Sequence, residues 1–321
     1  MQRPIIDIWY GRHQRFGGHG HPQRFANILG RVRGNTPIRS LVYSLNGQGP
    51  QPLSVGPDLR RLVGKGDFNV DLALERLQVG ENRVAITATD VEGGISTEEV
   101  VLELAAVACP LPYTIDWRQV TRMDDAVQVV DGLWTVTGEG ISPLEIGYDR
   151  LIAIGDMGWR DFQVTVPITI HGMNGACFNS PSRHSGVGIV MRWQGHTDRG
   201  EDHWASGQPC FGPEGYGAIA WYCVFHNLGP VLNIFDPEFR RAAWQPRPLA
   251  LHVPYMFKAR VETLTNDASR YSLKVWPQRE AEPAAWDLTA PGHARSLQAG
   301  AFLLGSHHIA CTFGNVTVEA I

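Results

Sequence analysis

The densest meeting of chemically capable side chains runs from Arg192 to Tyr222. Arg192-Trp193-Gln194-Gly195-His196 leads through Glu201-Asp202-His203-Trp204 to Glu214-Gly215-Tyr216 and Trp221-Tyr222. Aromatic rings stack on the apolar C–H faces of sugars while Asp, His, Arg and Gln beside them meet hydroxyls, so this mixture suits a glycan groove. The candidate ligand-binding set is Arg192, Gln194, His196, Asp202, His203, Trp204, Tyr216, Trp221 and Tyr222. Part of it sits on the stretch from His196 to Pro213, which is long, charged and aromatic-bearing where plain connections run about 4–6 residues. In extended strands Arg192 and Gln194 share a face opposite Trp193, and Trp221 opposes the face of Tyr216 and Tyr222. Tryptophans also fill sandwich cores, and the pattern leaves open which set lines a surface.

Proton chemistry is the other use of these side chains. A Tyr or His base paired with an Arg or Gln that neutralises a uronate makes the proton α to the carboxylate removable, and Arg192, Gln194, His203, Tyr216 and Tyr222 supply those types. Retaining glycoside hydrolysis needs two carboxylates about 5–5.5 Å apart. The nearest pair, in Glu145-Ile-Gly-Tyr-Asp149, would share a strand face but lie about 13 Å apart from strand rise. His307-His308 precede the last strand, and alternation sends one inward as a hydrogen-bonded core histidine. His13, His19 and His21 could bind a transition metal, but their Gly-Gly-His-Gly-His-Pro context reads as an exposed turn. Arg15, Phe16, Arg24 and Phe25 nearby are suited to fixing that loop against a neighbouring domain. The five cysteines (Cys109, Cys177, Cys210, Cys223, Cys311) show no CxxC pair or zinc spacing. Cys223 and Cys311 lie in strand-like runs as small hydrophobes, and Cys177 with Cys210 is a candidate loop disulfide.

The elements that position these residues read as strands throughout. From Ile38 the chain runs in short alternating segments broken by turn residues: Ile38–Leu45, Asn46-Gly47, Leu53–Val55, Gly56-Pro57 and Leu59–Val63. Phe68-Asn-Val-Asp-Leu, Arg83-Val-Ala-Ile-Thr-Ala-Thr-Asp and Ser96–Leu104 follow, and strands at 8–12-residue spacing indicate a sandwich. The phrase Gly80-Glu-Asn-Arg-Val-Ala-Ile-Thr-Ala-Thr-Asp with its glycine-rich turn resembles bacterial immunoglobulin-like or fibronectin-III-like modules over residues 5–104, which implies a spacer or docking role.

Ala105-Ala-Val-Ala-Cys-Pro-Leu-Pro is a proline-ended connector, and beyond residue 109 lie nine of the ten tryptophans. Trp159-Arg-Asp-Phe-Gln-Val-Thr-Val-Pro-Ile-Thr-Ile170 alternates cleanly, with Phe162, Val164, Val166, Ile168 and Ile170 on one side. Ser185–His196, Tyr216–His226, Tyr255–Thr263, Tyr271–Trp276 and Gly300–Val318 repeat the pattern, which predicts about a dozen strands. Trp117 with Asp131-Gly132-Leu133-Trp134, Trp159–Val164, Ser185–Trp193, Tyr271/Lys274/Trp276 and Gly300–Val318 together resemble the laminin-G-like, concanavalin A-like lectin-glucanase family over residues 113–321. The resemblance implies a jelly roll with a concave sugar-binding face. The family's E-x-D-x-x-E hydrolase strand and its R-x-E-x-R and Q-[IV]-H lyase strands are missing. The family also implies structural calcium, to which Asp149, Asp156 and Asp161 near turns could offer oxygens, although no D-x-D-x-D loop organises them.

A formal net charge of −4 with scattered Lys and Arg argues against a nucleic-acid partner. No run of about 18 apolar residues exists to span a membrane. Met1-Gln-Arg-Pro-Ile-Ile-Asp lacks the apolar stretch of an export signal, which fits a cytoplasmic protein or an extracellular or cell-surface one whose leader has been removed. The sequence thus predicts an all-β chain: residues 1–108 an immunoglobulin-like β-sandwich, residues 109–321 a jelly-roll sandwich that binds a glycan or polysaccharide without catalysis. The rivals are a polysaccharide lyase or glycoside hydrolase with a non-standard catalytic set, and a structural or adhesion protein that forms oligomers.

Overall fold

The computed structural model describes residues 3–175, 177, 183–197, 208–212, 214–293 and 297–321. The named elements of the described residues are all strands apart from three single-turn helices. Eight strands come first: β1 (Ile5–Ile8), β2 (His13–Phe16), β3 (Phe25–Arg33), β4 (Ile38–Leu45), β5 (Gln51–Pro52), β6 (Asp67–Ala73), β7 (Gly80–Asp90) and β8 (Ile95–Leu104). They form a three-stranded sheet, β1-β3-β6, over a five-stranded sheet, β2-β8-β7-β4-β5, with β2 parallel to β8. Alternate residues of each strand, such as Ile28 and Val70 facing Val84 and Leu102, fill one apolar core.

The second sandwich follows. Its strands are β9 (Tyr113–Ile115), β10 (Gln128–Asp131), β11 (Trp134–Thr137), β12 (Gly140–Pro143), β13 (Asp149–Ile154), β14 (Phe162–Met173), β15 (His184–Trp193) and β16 (Ala218–Phe225). The remainder are β17 (Gly229–Phe235), β18 (Arg241–Pro246), β19 (Pro254–Thr263), β20 (Ser269–Pro277), β21 (Leu288–Pro291), β22 (Ala301–His307), β23 (Ile309–Phe313) and β24 (Val316–Ala320). One sheet has the order β10-β13-β22-β15-β16-β17-β18 and the other β11-β12-β23-β14-β19-β20-β21, with β24 and β9 added beside β14. On β14 the alternation reads as expected, with Phe162, Val164, Val166, Ile168 and Ile170 all in the core between the sheets. Among the described residues, the first eight strands pair with one another and the later strands with one another. The histidine loop and connector close the join, where His21 Nε2 lies 2.7 Å from the Ala105 carbonyl.

The first chain departure from expectation lies between β5 and β6. Leu53–Val55 and Leu59–Val63 read as strands, yet residues 53–66 are irregular. Asp58 Oδ1 accepts from the N–H groups of Arg60 at 2.7 Å and Leu62 at 2.9 Å, an Asx-type turn that takes the backbone out of any ladder. This loop is thrown across onto the second sandwich.

The two sandwiches meet through apolar and polar groups together: Leu29, with Trp9 and Tyr10 beside it, joins the core of the second sandwich, and a set of buried polar side chains lies alongside. The outward residues of β3 and β6 include Asn27, Asp67 and Asn69, all nearly inaccessible to solvent. A bulge in β10 between Val129 and Asp131 puts Gln128 and Asp131, three residues apart, on the same side. Gln128 Nε2 donates to the Phe25 carbonyl and Asn69 Nδ2 to the Val130 carbonyl, at 2.5 and 2.9 Å. Arg61 Nε donates to Asp131 Oδ1 at 2.6 Å, and its terminal nitrogens grip Asp71 at 3.0 and 3.1 Å. Arg150 closes the set by donating to the carbonyls of Arg60 and Arg61, both at 3.0 Å. Arg15, paired with Asp125, and Arg24, which donates to the Gln194 and Glu214 carbonyls, pin the histidine loop and the start of β3 to the second sandwich.

Candidate functional site

The outer face of the seven-stranded sheet carries a groove of about 540 Å³. Its floor follows from period-two alternation on β16, where Ile219, Trp221, Cys223 and Phe225 face outward while Ala218, Ala220 and Tyr222 enter the main core. Opposite Trp221 the neighbouring strands have glycine. A Cβ at Gly186 would meet Trp221 Cε3 at 2.3 Å, and one at Gly305 would approach Cζ2 at 3.2 Å. The indole therefore lies down over a track of missing side chains. Its Nε1 is buried and without a hydrogen-bond partner.

Around this floor stand Phe225 and Phe235 from the strands, Phe211 from the wall at residues 208–212, and Phe239 at the β17–β18 turn, 48% exposed. Arg241 of β18 stacks over Phe225 at 4.9 Å and over the exposed ring of Trp244 at 5.3 Å. The opposite wall is supplied by the first sandwich: Asp58, Arg60 and Arg61 of the irregular loop line the same groove. Arg60 stacks on Tyr148 at 5.2 Å and donates to its hydroxyl at 3.2 Å.

One end of the groove is titratable. His307 Nδ1 lies 2.7 Å from Asp149 Oδ1, a cross-strand pair between β22 and β13. His184 stacks on His307 with centroids 4.8 Å apart, and Tyr148 meets it edge-on at 4.5 Å. Burial pushes the Tyr148 phenol above its ordinary value. His308 is lowered to about 4 by burial and by the adjacent His307. Beneath the other end, burial raises Asp131 to about 7 despite Arg61 and Arg150, and burial with the Arg61 charge holds His196 well below 6.5.

The expected ligand-binding residues divide. Trp221 lies at the floor and His196 in the lining, where it packs against Trp193 and Phe211. Asp202, His203 and Trp204 lie outside the described residues. Arg192 is turned away from the groove and fully buried. A bulge between Met191 and Trp193, with Arg192 at φ 53°, breaks the alternation and drives the guanidinium between the sheets. There it donates to Ser269 Oγ, Thr263 Oγ1 and the Leu297 carbonyl at 2.6–2.7 Å. Gln194 donates to the Ala299 carbonyl at 3.0 Å, which takes its amide out of the groove as well. Tyr222 belongs to the core between the sheets. Tyr216 is fully buried on the side of Trp221, not opposite it, and its hydroxyl donates to the Pro237 carbonyl at 3.2 Å. With these placements Arg192, Gln194, Tyr216 and Tyr222 do not assemble a base and its carboxylate-neutralising partner.

The three aspartates considered for calcium are engaged separately. Asp149 holds His307, Asp156 accepts from the Gly158 N–H at 2.7 Å, and Asp161 accepts from the Thr263 N–H at 2.6 Å. Among the described residues no group of three or more His, Cys, Asp or Glu is placed to hold a metal ion. Cys177 and Cys210 are not joined by a disulfide. Cys223 and Cys311 are buried, as their strand context implied, and burial raises both thiols, Cys311 to about 12.

Missed by the sequence reading were Phe225, Phe235, Phe239, Arg241, Tyr148, His184, the Asp58–Arg61 loop, and the partnership of Asp149 with His307. The β16 residues could have been found, since Phe225 follows Trp221 at twice the strand period. The loop could not, because its contribution depends on where the first sandwich sits.

No protein-family model matches the chain, and no curated protein matches it. Among solved structures, the exoplasmic/lumenal domain of VIP36, in a Ca2+/Man3GlcNAc-bound form, aligns with 65% of this chain and 91% of its own at 8% identity and a TM-score of 0.40. A galectin-like-fold protein from Bacillus subtilis covers 65% of this chain and 94% of its own at 11% identity and a TM-score of 0.35. A carbohydrate-binding module of the β-sandwich superfamily covers 100% and 97% at 9% identity and a TM-score of 0.21. All three scores are below 0.5.

Proposed function

We propose that the protein binds a glycan in the groove between its two sandwiches, with the first, immunoglobulin-like module serving as a wall of the site and the second as a laminin-G-like lectin sandwich. One observation carries this: an indole laid on a glycine track, its N–H buried without a partner, under a cleft rimmed by further rings and charged groups. Flat apolar rings with polar groups at their edges match the two kinds of surface that a pyranose presents. The Trp221 N–H supplies a donor and Asp58 Oδ2, also buried without a partner, an acceptor for sugar hydroxyls.

Calorimetric titration against a glycan panel tests the proposal, using Phe225→Ala and Trp244→Ala, which remove rings from the rim. Loss of a stacking ring is expected to weaken binding by roughly tenfold, about 1.4 kcal/mol. Binding to no member of the panel would overturn the reading. Light scattering that showed filaments together with no sugar affinity would favour the adhesion alternative.

A second reading draws on the Asp149–His307 pair. A carboxylate on Nδ1 leaves Nε2 as the basic nitrogen of His307 at the end of the same groove. In a uronate polymer such a base takes the proton α to the carboxylate. The C–H electron pair becomes a C=C bond, the C–O bond to the next sugar breaks, and the departing oxygen takes its proton from water in the open groove. Growth of ultraviolet absorbance from the unsaturated product, lost in His307→Gln, would establish this activity over simple binding.

A further inference from the structure

Resting on the glycan reading, we infer that the groove takes an uncharged saccharide by its unsubstituted hydroxyls, and that Asp58 of the first sandwich, with Gln208 of the second, is the residue that sets this choice.

The cations of the lining are engaged or lie at its surface. Arg61 is neutralised by Asp71 and Asp131. Arg60 donates to the Tyr148 hydroxyl and stacks on its ring. Arg241 is exposed at the rim, over Phe225 and Trp244. Two acceptors of the same lining are placed differently. Asp58 Oδ1 takes the Arg60 and Leu62 N–H groups at 2.7 and 2.9 Å, while Asp58 Oδ2 is buried with no hydrogen-bond partner in the protein. Gln208 is 9% exposed, and its Oε1 is also buried without one. Both residues line the groove, one from each sandwich.

A buried acceptor is satisfied only by a donor. A sugar hydroxyl supplies one, whereas a carboxylate, sulfate or methyl ether in its place supplies none, and the first two set a second negative charge against Asp58. The exposed Arg241 does not offset this. Its attraction is weakened by solvent and salt, but an unmatched acceptor or a like-charge contact in a water-excluded place is felt in full. Hydroxyls also accept, so the same ligand groups serve the buried Trp221 Nε1 donor at the floor. The two N–H groups on Oδ1 fix the direction of the Asp58 carboxylate before a ligand arrives.

The test titrates galactan, mannan, xylan and a soluble β-glucan, with any further neutral glycan of the panel that binds. Each is compared with its carboxymethylated and O-methylated derivatives, against wild type, Asp58→Asn and Gln208→Met. Asp58→Asn keeps an oxygen for the Arg60 and Leu62 N–H groups and puts an N–H donor where Oδ2 stood, so the thermal midpoint is expected to hold. The inference expects at least one unmodified polymer to bind wild type about tenfold or more tightly than both its derivatives. Asp58→Asn should bind that polymer about tenfold more weakly and lose the discrimination against the carboxymethylated form. Because this substitution changes no volume, the loss separates hydrogen bonding from the bulk that the derivatives add. Gln208→Met removes the other acceptor without touching the Asp58 turn and should weaken the same polymer in the same direction, which decides the matter if Asp58→Asn fails to fold. Equal or tighter binding of the derivatives, or a preference that survives both substitutions, overturns the inference and leaves the glycan reading standing. Binding of acidic glycans alone does the same. Failure of every glycan overturns both.

Discussion

Arg61 of the first sandwich and Asp131 of the second are joined through Nε and Oδ1 at 2.6 Å, with their side chains 5% and 0% exposed. Removing one member of a buried pair leaves the other charge desolvated without compensation, which costs about 3–5 kcal/mol. Arg61→Ala is accordingly expected to destabilise the protein by that amount. Differential scanning calorimetry should change from one cooperative transition to two, the second sandwich melting apart from the first. A single transition at an unchanged midpoint would contradict the role given to this pair.

Gly186 is expected to be intolerant of even one methyl group. A Cβ there meets the Trp221 ring at 2.3 and 2.7 Å, and indole cannot slide far with Gly188 and Gly305 packed beside it. Overpacking of this kind costs about 1–3 kcal/mol. Gly186→Ala should lower stability by that margin and shift Trp221 fluorescence, because the ring must rise from its track. Unaltered emission would show that the floor is looser than described.

Acid should weaken the fold through its histidines. His308 has a folded value lowered to about 4 and an ordinary value near 6.5. Between those limits the unfolded chain holds more protons than the folded one, so this contribution to stability is complete above pH 6.5 and lost as pH falls through about 4. His196, held well below its ordinary value by burial, acts in the same direction. His308 sits at φ 57°, which asparagine tolerates. His308→Asn should therefore be more resistant to acid, by about 1 kcal/mol near pH 4.5 after allowing for screening. Urea midpoints measured from pH 7 to 4 would decide it, parallel profiles for both proteins being the contrary result.

How much of this was legible in the sequence depends on whether local period or three-dimensional placement decides each residue. The alternation on β14 and the turns between strands are local, and they specify the sheets directly. Trp221 could be singled out for the same reason. Arg192 could not be placed, because one extra residue in the ladder reverses every side-chain direction beyond it, and a bulge leaves no compositional mark here. Asn27 and Asn69 alternate with apolar neighbours as solvated residues do, yet they meet Gln128, Val130 and Asp131 of the second sandwich. The carboxylate of Asp149 and the imidazole of His307 are 158 positions apart and come together only through the pairing of β13 with β22.

The loop of residues 53–66 makes the two modules poor candidates for independent inheritance. A module carried into another protein would take one bank of the cleft and leave the other behind. Insertions at this loop, ordinarily the most forgiving kind of change in a sandwich, would be felt as altered ligand preference in a neighbouring domain. Selection on what the cleft holds therefore acts on both halves of the chain together, although only one of them carries its floor.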